Sequence, residues 1–254
     1  MTEFSENDRL ARLRLMVGDE GVEKLRRSFA VVVGLGAVGS YSVEGLARSG
    51  VGRMRLVDFD TVHPSNINRQ IFALSSTVGR KKSELALARV KDINPDCEAE
   101  GLDLFCATDT IDAILSGNPD IVIDAIDSLG PKSYLIAQCL KRGIPHISSM
   151  GAALRTDPTL VRFGNFSEVK SCPLARRVKD LLRHYEAEGD FECAYSVEPV
   201  TDRHRKATIK PISKDDPGGK GRARAMLGSL PTLTGMFGLT IAHHAIRRLL
   251  GGNI

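Results

Sequence analysis

The 254-residue sequence has no tryptophan, only five cysteines and no long apolar run. The cysteines, at 97, 106, 139, 172 and 193, are odd in number, widely spaced and never arranged as C-x-x-C. That pattern excludes a disulfide framework and a four-cysteine zinc site, and it fits a reducing cytosol. No apolar stretch approaches the roughly 18 residues of a membrane helix, so no membrane partner is expected. The opening "MTEFSENDRLAR" is polar and acidic, unlike a secretory signal or transit peptide, and the expected location is cytoplasmic. There is no internal repeat and no clean linker, which predicts one domain.

What is present is an uneven charge. Residues 1–154 hold 18 Lys and Arg against 20 Asp and Glu, whereas residues 155–254 hold 17 against 11. Within the basic part, Arg203 to Arg224 carries eight basic residues and two acids among Pro217, Gly218, Gly219 and Gly221. Such a stretch is either a solvated loop or a basic arm for a polyanion such as RNA.

The pattern along the chain predicts an α/β fold. A helical periodicity over 8–28 is broken near Gly18, and "FAVVVG" (29–34) reads as a fully buried strand. A helix over 38–48, a strand over 54–58 and an amphipathic helix over 79–94 stopped by Pro95 follow. Strands near 98–104, 120–126 and 145–149 alternate with helices over 109–116 and 132–143. This alternation with short connections predicts a doubly wound, Rossmann-like, mostly parallel sheet. After Gly151 the rhythm changes: strands over 159–166 and 193–199, and helices over 172–189 and 233–250. Residues 1–150 therefore read as a nucleotide-binding core and 151–254 as a C-terminal elaboration that binds substrate.

Gly34-x-Gly36-x-x-Gly39 follows the first strand and opens a helix. In that setting the glycines permit a tight turn, close approach of a phosphate and close helix–strand packing, with phosphate at the helix N-terminus. Asp58 ends the second strand, 19 residues after Gly39, where an acid accepts hydrogen bonds from ribose hydroxyls. These residues alone make NAD the default ligand. Arg69, Lys82 and Asp127 argue for another, because all three lie at strand carboxyl ends or in the loops beyond. Two cations and a further acid suit a triphosphate with a metal, where charge builds on phosphate oxygens.

The stretches "RLARLRLMVG" (9–18), "GLGAVGS" (34–40), "LVDFDTVHPSNINRQIF" (56–72), "VGRKKSELALARVKDINP" (78–95) and "DAIDS" (124–128) resemble the ubiquitin-activating-enzyme superfamily. The resemblance is to its bacterial branch, with the adenylyltransferases of thiamine and molybdopterin synthesis. It implies ATP as cofactor, with Gly34, Gly36, Ala37 and Gly39 around the phosphates and Asp58 on the ribose. It further implies Asp60, Ser65, Asn66, Asn68, Arg69 and Lys82 about the triphosphate, Asp127 on Mg2+ with Ser128 beside it, and a homodimer in which Arg12 reaches the partner's triphosphate. Arg12, Arg69, Lys82 and Asp127 would be the catalytic set, and a carboxylate would be adenylated with loss of pyrophosphate.

Relatives that load a sulfur-carrier protein usually hold zinc with two C-x-x-C pairs, which this sequence lacks, so no zinc is expected. Its later part, "GAALRTDPTLVRF" (151–163), "SEVKSCPLARRVKDLLR" (167–183), "CAYSVEP" (193–199) and "GSLPTLTGMFGLTIAHHAIRRLL" (228–250), resembles the tRNA threonylcarbamoyladenosine dehydratases. That resemblance implies ATP-dependent cyclisation of threonylcarbamoyladenosine in tRNA. It allows a monovalent cation and a sulfur-transfer protein partner. Arg155 stands where many relatives carry lysine, which leaves that position without an assigned role. Candidate tRNA contacts are Arg176, Arg177, Arg183, Arg203, Arg205, Lys206, Arg222 and Arg224. The alternative is an adenylyltransferase acting on the C-terminus of a ubiquitin-like sulfur carrier.

Ring closure within one side chain is intramolecular and needs no enzyme thiol. Cys172 and Cys193 are accordingly read as structural, and they are the two thiols worth testing. His243 and His244, adjacent on a helix, diverge and make a poor chelate.

Overall fold

The computed structural model describes residues 8–200, 208–209 and 226–252. Helix α1 (Ala11–Arg27) is kinked at Gly18, whose φ of 72° and ψ of 175° are non-helical, at the break that the sequence pattern predicts. Strand β1 (Phe29–Val33) follows, and all five of its residues are buried. Ala30 and Val32 enter one hydrophobic core, while Phe29, Val31 and Val33 enter the other. A strand of β-branched residues buried on both faces is what a central parallel strand requires.

The remaining elements of the sheet are β2 (Arg53–Val57), β3 (Glu98–Leu102), β4 (Ile121–Asp124), β5 (His146–Ser149), β6 (Val161–Asn165) and β7 (Glu192–Ser196). Their order is β3-β2-β1-β4-β5-β7-β6, parallel throughout except for β6, which pairs antiparallel with β7 at the edge. A two-stranded antiparallel ladder, β8 (Thr208–Ile209) with β9 (Met226–Leu227), lies outside this sheet.

Helices cover both faces of the sheet. On one side α2 (Gly39–Arg48), α3 (Lys82–Ile93) and the C-terminal α7 (Pro231–Leu249) share a core that includes Leu46, Val90, Phe237 and Ile241. Ser42 Oγ of α2 donates to the Gly238 carbonyl of α7 at 3.0 Å, which ties the two helices at their contact. On the other side α4 (Ile111–Leu115) and α5 (Leu129–Arg142) bury Ile111, Ile114, Leu135 and Cys139. Helix α6 (Pro173–His184) packs outside α5, and Ala175, Val178 and Leu182, three and four residues apart, form its buried stripe. Val178 and Leu182, taken from water, each contribute about 1.5–3 kcal/mol before entropy is counted.

Several helices are shorter or longer than expected: α3 spans Lys82–Ile93, not 79–94, and α4 spans Ile111–Leu115, not 109–116. Helix α5 begins at Leu129, not 132, because Pro131 sits in its first turn, where a missing N–H costs nothing. Helix α6 ends at His184, not 189: Glu186 has a φ of 51° and breaks the helix. The doubly wound fold itself is as the sequence predicts. Its strand order reverses between β1 and β4, and a crevice opens there beyond the strands' carboxyl ends, where ligands bind in this architecture.

Candidate functional site

The loops after β1, β2, β4 and β5, with the first turn of α6, enclose a cavity of about 510 Å³. Gly34 leaves β1 with φ +90°, and a Cβ there would lie 2.8 Å from the Ala125 carbonyl, so the β1 and β4 loops touch at the reversal point. Gly36 and Ala37 line the cavity just before α2 begins. The first turn of a helix leaves N–H groups without intrahelical partners, so this loop is suited to an anion.

Asp58, at the end of β2, lines the same cavity. Its two carboxylate oxygens accept the backbone N–H groups of Leu35, at 2.7 Å, and Asp60, at 2.8 Å. Burial pushes its pKa up, while Lys82 and the two N–H groups pull against that rise. Lys82 opens α3 with only 5% of its surface exposed, and its Nζ lies 3.0 Å from Asp60 Oδ2. Arg69 also lines the cavity; its guanidinium donates to the Ser65 carbonyl at 2.8 Å and to Asn68 Oδ1 at 2.9 Å. Burial lowers the Arg69 pKa, and the charge of Asp127 opposes that. Asp127 and Ser128, just before α5, complete this part of the wall. Leu104, Phe105 and Pro131 add an apolar side, on which Phe59 and Phe105 meet edge to face with ring centroids 4.9 Å apart.

Ten of the expected nucleotide residues thus converge: Gly34, Gly36, Ala37, Asp58, Asp60, Arg69, Lys82, Asp127 and Ser128 directly, and Gly39 beneath the loop. Ser65, Asn66 and Asn68 are not among the cavity's lining residues. Asn66 is buried, and its Oδ1 accepts the His63 N–H at 3.1 Å, closing the short 3-10 turn Pro64–Asn66. Ser65 and Asn68 instead hold the Arg69 guanidinium. Arg12 is exposed on α1 and does not line the cavity either. Arg176, Arg177 and Arg183 are exposed on α6, whose first residues, Pro173 and Leu174, line the cavity. Arg203, Arg205, Lys206, Arg222 and Arg224 lie outside the described residues.

Two further features, and a partner set for Arg155, emerge only from the tertiary structure. Gln70 is buried and lines the cavity. Lys132, Asp124 and Ser148 form a closed network behind it: Lys132 Nζ is 2.6 Å from Asp124 Oδ2, and Ser148 Oγ donates to the same oxygen at 2.5 Å. The signal for Lys132 was its spacing, three, four and seven residues before Leu135, Ile136 and Cys139 on one buried face. Finally Arg155, 2% exposed, donates to the carbonyls of Glu198 and, at 3.1 Å, Ser171, bracing three segments of the cavity wall.

All five cysteines are buried and free. Burial pushes the thiols of Cys106 and Cys193 up to about 12, far from the thiolate range. Cys172 Sγ caps α6, accepting N–H groups from Ala175 at 3.5 Å and Gly151 at 3.4 Å. His244 stacks on Phe163, with centroids 3.5 Å apart, and faces no metal ligand set; no group of three His, Cys, Asp or Glu side chains suited to a metal occurs among the described residues. No helix among them is long and apolar enough to cross a membrane.

The chain is 39% identical over 254 residues to the tRNA threonylcarbamoyladenosine dehydratase of Bacillus subtilis, covering 98% of this chain and 94% of that one. It is 31% identical to the enzyme of the same name from Escherichia coli, covering 92% and 91%. The crystal structure of the E. coli tRNA N6-threonylcarbamoyladenosine dehydratase in complex with ATP superposes with a TM-score of 0.83 at 29% identity, covering 98% of each chain. The molybdopterin-synthase adenylyltransferase of Salmonella typhimurium is 32% identical, but the match covers 68% of this chain. The sequence model of the ThiF family matches residues 7–253, and the chain belongs to that family.

Proposed function

We propose that the protein is an ATP-dependent tRNA threonylcarbamoyladenosine dehydratase. The observation that carries this reading is the 39% identity to a relative of that name across 98% of the chain, the C-terminal hundred residues included. The cavity supports it. About 510 Å³ lies within the range of small-molecule sites, with a glycine loop, a carboxylate at the end of β2 and two cations in its wall.

In this reading Asp58 accepts hydrogen bonds from the ribose, and the phosphates lie over Gly36 and Ala37. Arg69 and Lys82 neutralise the charge that builds on the phosphate oxygens as the threonyl carboxylate attacks the α-phosphorus and pyrophosphate leaves. A neighbouring group of the same side chain then displaces AMP and closes a five-membered ring, for a net loss of water. No protein thiol takes part, in keeping with thiols that burial holds protonated. Asp127 fits Mg2+ brought in with ATP, since such an ion takes one or two carboxylates and completes its shell with phosphate oxygens and water. It would offset phosphate charge.

The tRNA would lie along α6, where Arg176, Arg177 and Arg183 are exposed on the helix whose first residues line the cavity, and the basic stretch 203–224 would add phosphate contacts. Arg12 would act in a homodimer, reaching the cavity of the second copy. Activation of a sulfur-carrier protein is the less supported reading: the sequence lacks zinc cysteines, and the match to that class covers less of the chain.

Incubation with ATP, Mg2+ and tRNA bearing threonylcarbamoyladenosine, followed by nucleoside mass analysis, tests the proposal. Loss of one water, abolished by Lys82→Ala or Asp127→Ala, is expected. Pyrophosphate exchange that depends on a carrier protein and ignores tRNA would overturn it.

A further inference from the structure

Lys132 is fully enclosed and Asp124 is 1% exposed, and neither lines the cavity. They stand directly behind it. Asp124 is the last residue of β4, Ser148 belongs to β5 and Lys132 to the first turn of α5. Both strands run straight into the cavity wall. Ala125, Ile126, Asp127 and Ser128 line it after β4, and Ser149 through Arg155 line it at the end of β5 and beyond.

The donors are shared unequally between the two oxygens of Asp124. Lys132 Nζ, at 2.6 Å, and Ser148 Oγ, at 2.5 Å, both donate to Oδ2, and Lys132 Nζ also donates to Ser148 Oγ at 3.2 Å. Two donors on one oxygen fix the rotation of the carboxylate and leave Oδ1 for the loop. Oδ1 accepts the Ile126 N–H at 3.1 Å, and the neighbouring Ala125 N–H donates to the Val33 carbonyl at 2.9 Å. The two peptides that lead to Asp127 are thus held by β1 and by the Asp124 carboxylate. The charge of Asp127 in turn reaches Arg69.

A buried ion pair adds little net stability over an apolar pair of similar volume. Packing alone therefore gives no reason for a lysine and an aspartate here, whereas the direction of their hydrogen bonds does. We propose that Lys132, Asp124 and Ser148 are positioning residues for the reaction: Lys132 and Ser148 orient Asp124, and Asp124 sets the loop that presents Asp127 to the metal arriving with ATP. The inference rests on the ATP reading above and on Asp127 as the carboxylate for Mg2+. Groups behind a metal-binding carboxylate are worth about 10–100-fold in metal affinity or activity in known sites.

The test compares the full chain with Asp127→Ala, Ser148→Ala and the double variant Lys132→Met with Asp124→Leu. The double variant replaces the ion pair by an apolar pair, so it keeps the core filled while removing the acceptor for Ile126. ATP Kd is measured by calorimetry with Mg2+ and with EDTA, and the Mg2+ concentration for half-maximal activity is measured alongside. In EDTA the double variant should bind ATP within about twofold of wild type. The gain in affinity that Mg2+ brings should shrink at least about tenfold, toward that of Asp127→Ala, and the half-maximal Mg2+ concentration should rise by a similar factor. Ser148→Ala leaves the ion pair in place and should shift both readings the same way by about threefold, so it decides the matter if the double variant does not fold. A purely structural role would weaken ATP binding equally with and without Mg2+. That result, or a wild-type Mg2+ gain in the double variant or in Ser148→Ala, would overturn the proposal and leave the ATP reading standing. Wild type whose ATP binding ignores Mg2+ would remove Asp127 as the metal carboxylate and this inference with it.

Discussion

Lys132 Nζ lies 2.6 Å from Asp124 Oδ2, and the two side chains are 0% and 1% exposed. The pair is completed by Ser148 Oγ, and Asp124 Oδ1 accepts the Ile126 N–H at 3.1 Å in the loop that leads to Asp127. A buried ion pair brings little net stability, but removing one member leaves an uncompensated charge. Lys132→Met is therefore expected to cost about 3–5 kcal/mol in urea unfolding, and Lys132→Met with Asp124→Leu to recover much of it. A single variant as stable as wild type would show that the pair is not closed off from water.

How far the molecule was legible beforehand follows from cases like this one. Strand β1 was read correctly because five apolar, mostly β-branched residues ending in glycine have one plausible home. Lys132 was not, because a lysine in a helix is ordinarily solvated, and only the tertiary packing of α5 against β4 and β5 encloses it. Asp58, Arg69, Lys82 and Asp127, spread over 70 residues of sequence, line one cavity. What the motif could not divide was labour within the loop. Asn66 closes the turn, Ser65 and Asn68 hold Arg69, and Gln70 faces the cavity. All four are polar residues of one short segment, and nothing in their spacing separates a group that shapes the turn from one that meets a ligand.

Glu44 joins two helices. Its carboxylate receives Arg89 Nε at 3.0 Å and Nη2 at 2.8 Å from α3, and Arg48 Nε at 2.7 Å within α2. Burial raises its pKa, but the Arg89 and Arg48 hydrogen bonds outweigh that and hold it below the ordinary 4.5. For a depressed carboxylate the stabilisation is present above the unfolded value and lost as pH falls through the folded one. Glu44→Gln should cost about 0.5–1 kcal/mol at neutral pH, discounted because Arg89 is partly solvated, and the difference should vanish on acidification below that value. Unfolding curves for the two proteins that stay equally spaced down to the acid limit would count against the bridge.

Asp58 has the opposite sign. Burial raises its pKa above the ordinary 3.8, so the folded chain holds that proton more tightly than the unfolded chain does. Stability of the nucleotide-free protein then falls as pH climbs from that ordinary value through the raised one. Asp58→Asn loses one acceptor for the Leu35 and Asp60 N–H groups, which is a constant offset, but it also removes the titration. Across the window, wild type should lose stability relative to Asp58→Asn; parallel pH profiles would mean that the carboxylate is solvated and its burial is of no consequence. ATP affinity should fall in the variant at neutral pH by about tenfold, the cost of a lost charged hydrogen bond.

The glycine loop separates fold from function at two positions three residues apart. A Cβ on Gly39 would lie 1.8 Å from the Gly34 carbonyl oxygen, a backbone contact with no side chain to move aside. A Cβ on Gly36 would meet only Gln70 Nε2 at 3.7 Å, so the nucleotide-free protein has room for it. Gly39→Ala should therefore cost more than about 3 kcal/mol, or prevent folding, because helix α2 must shift away from β1. Gly36→Ala should melt within about 2–4 °C of wild type, the equivalent of a kcal/mol or less in a chain of this size. Its methyl group would nevertheless occupy the path by which a phosphate reaches the loop, and ATP binding should weaken at least about tenfold. Thermal melts with and without ATP read both effects at once. If ATP raised the melting temperature of Gly36→Ala as much as that of wild type, the phosphates would not lie over Gly36, and the placement of the whole nucleotide would have to change.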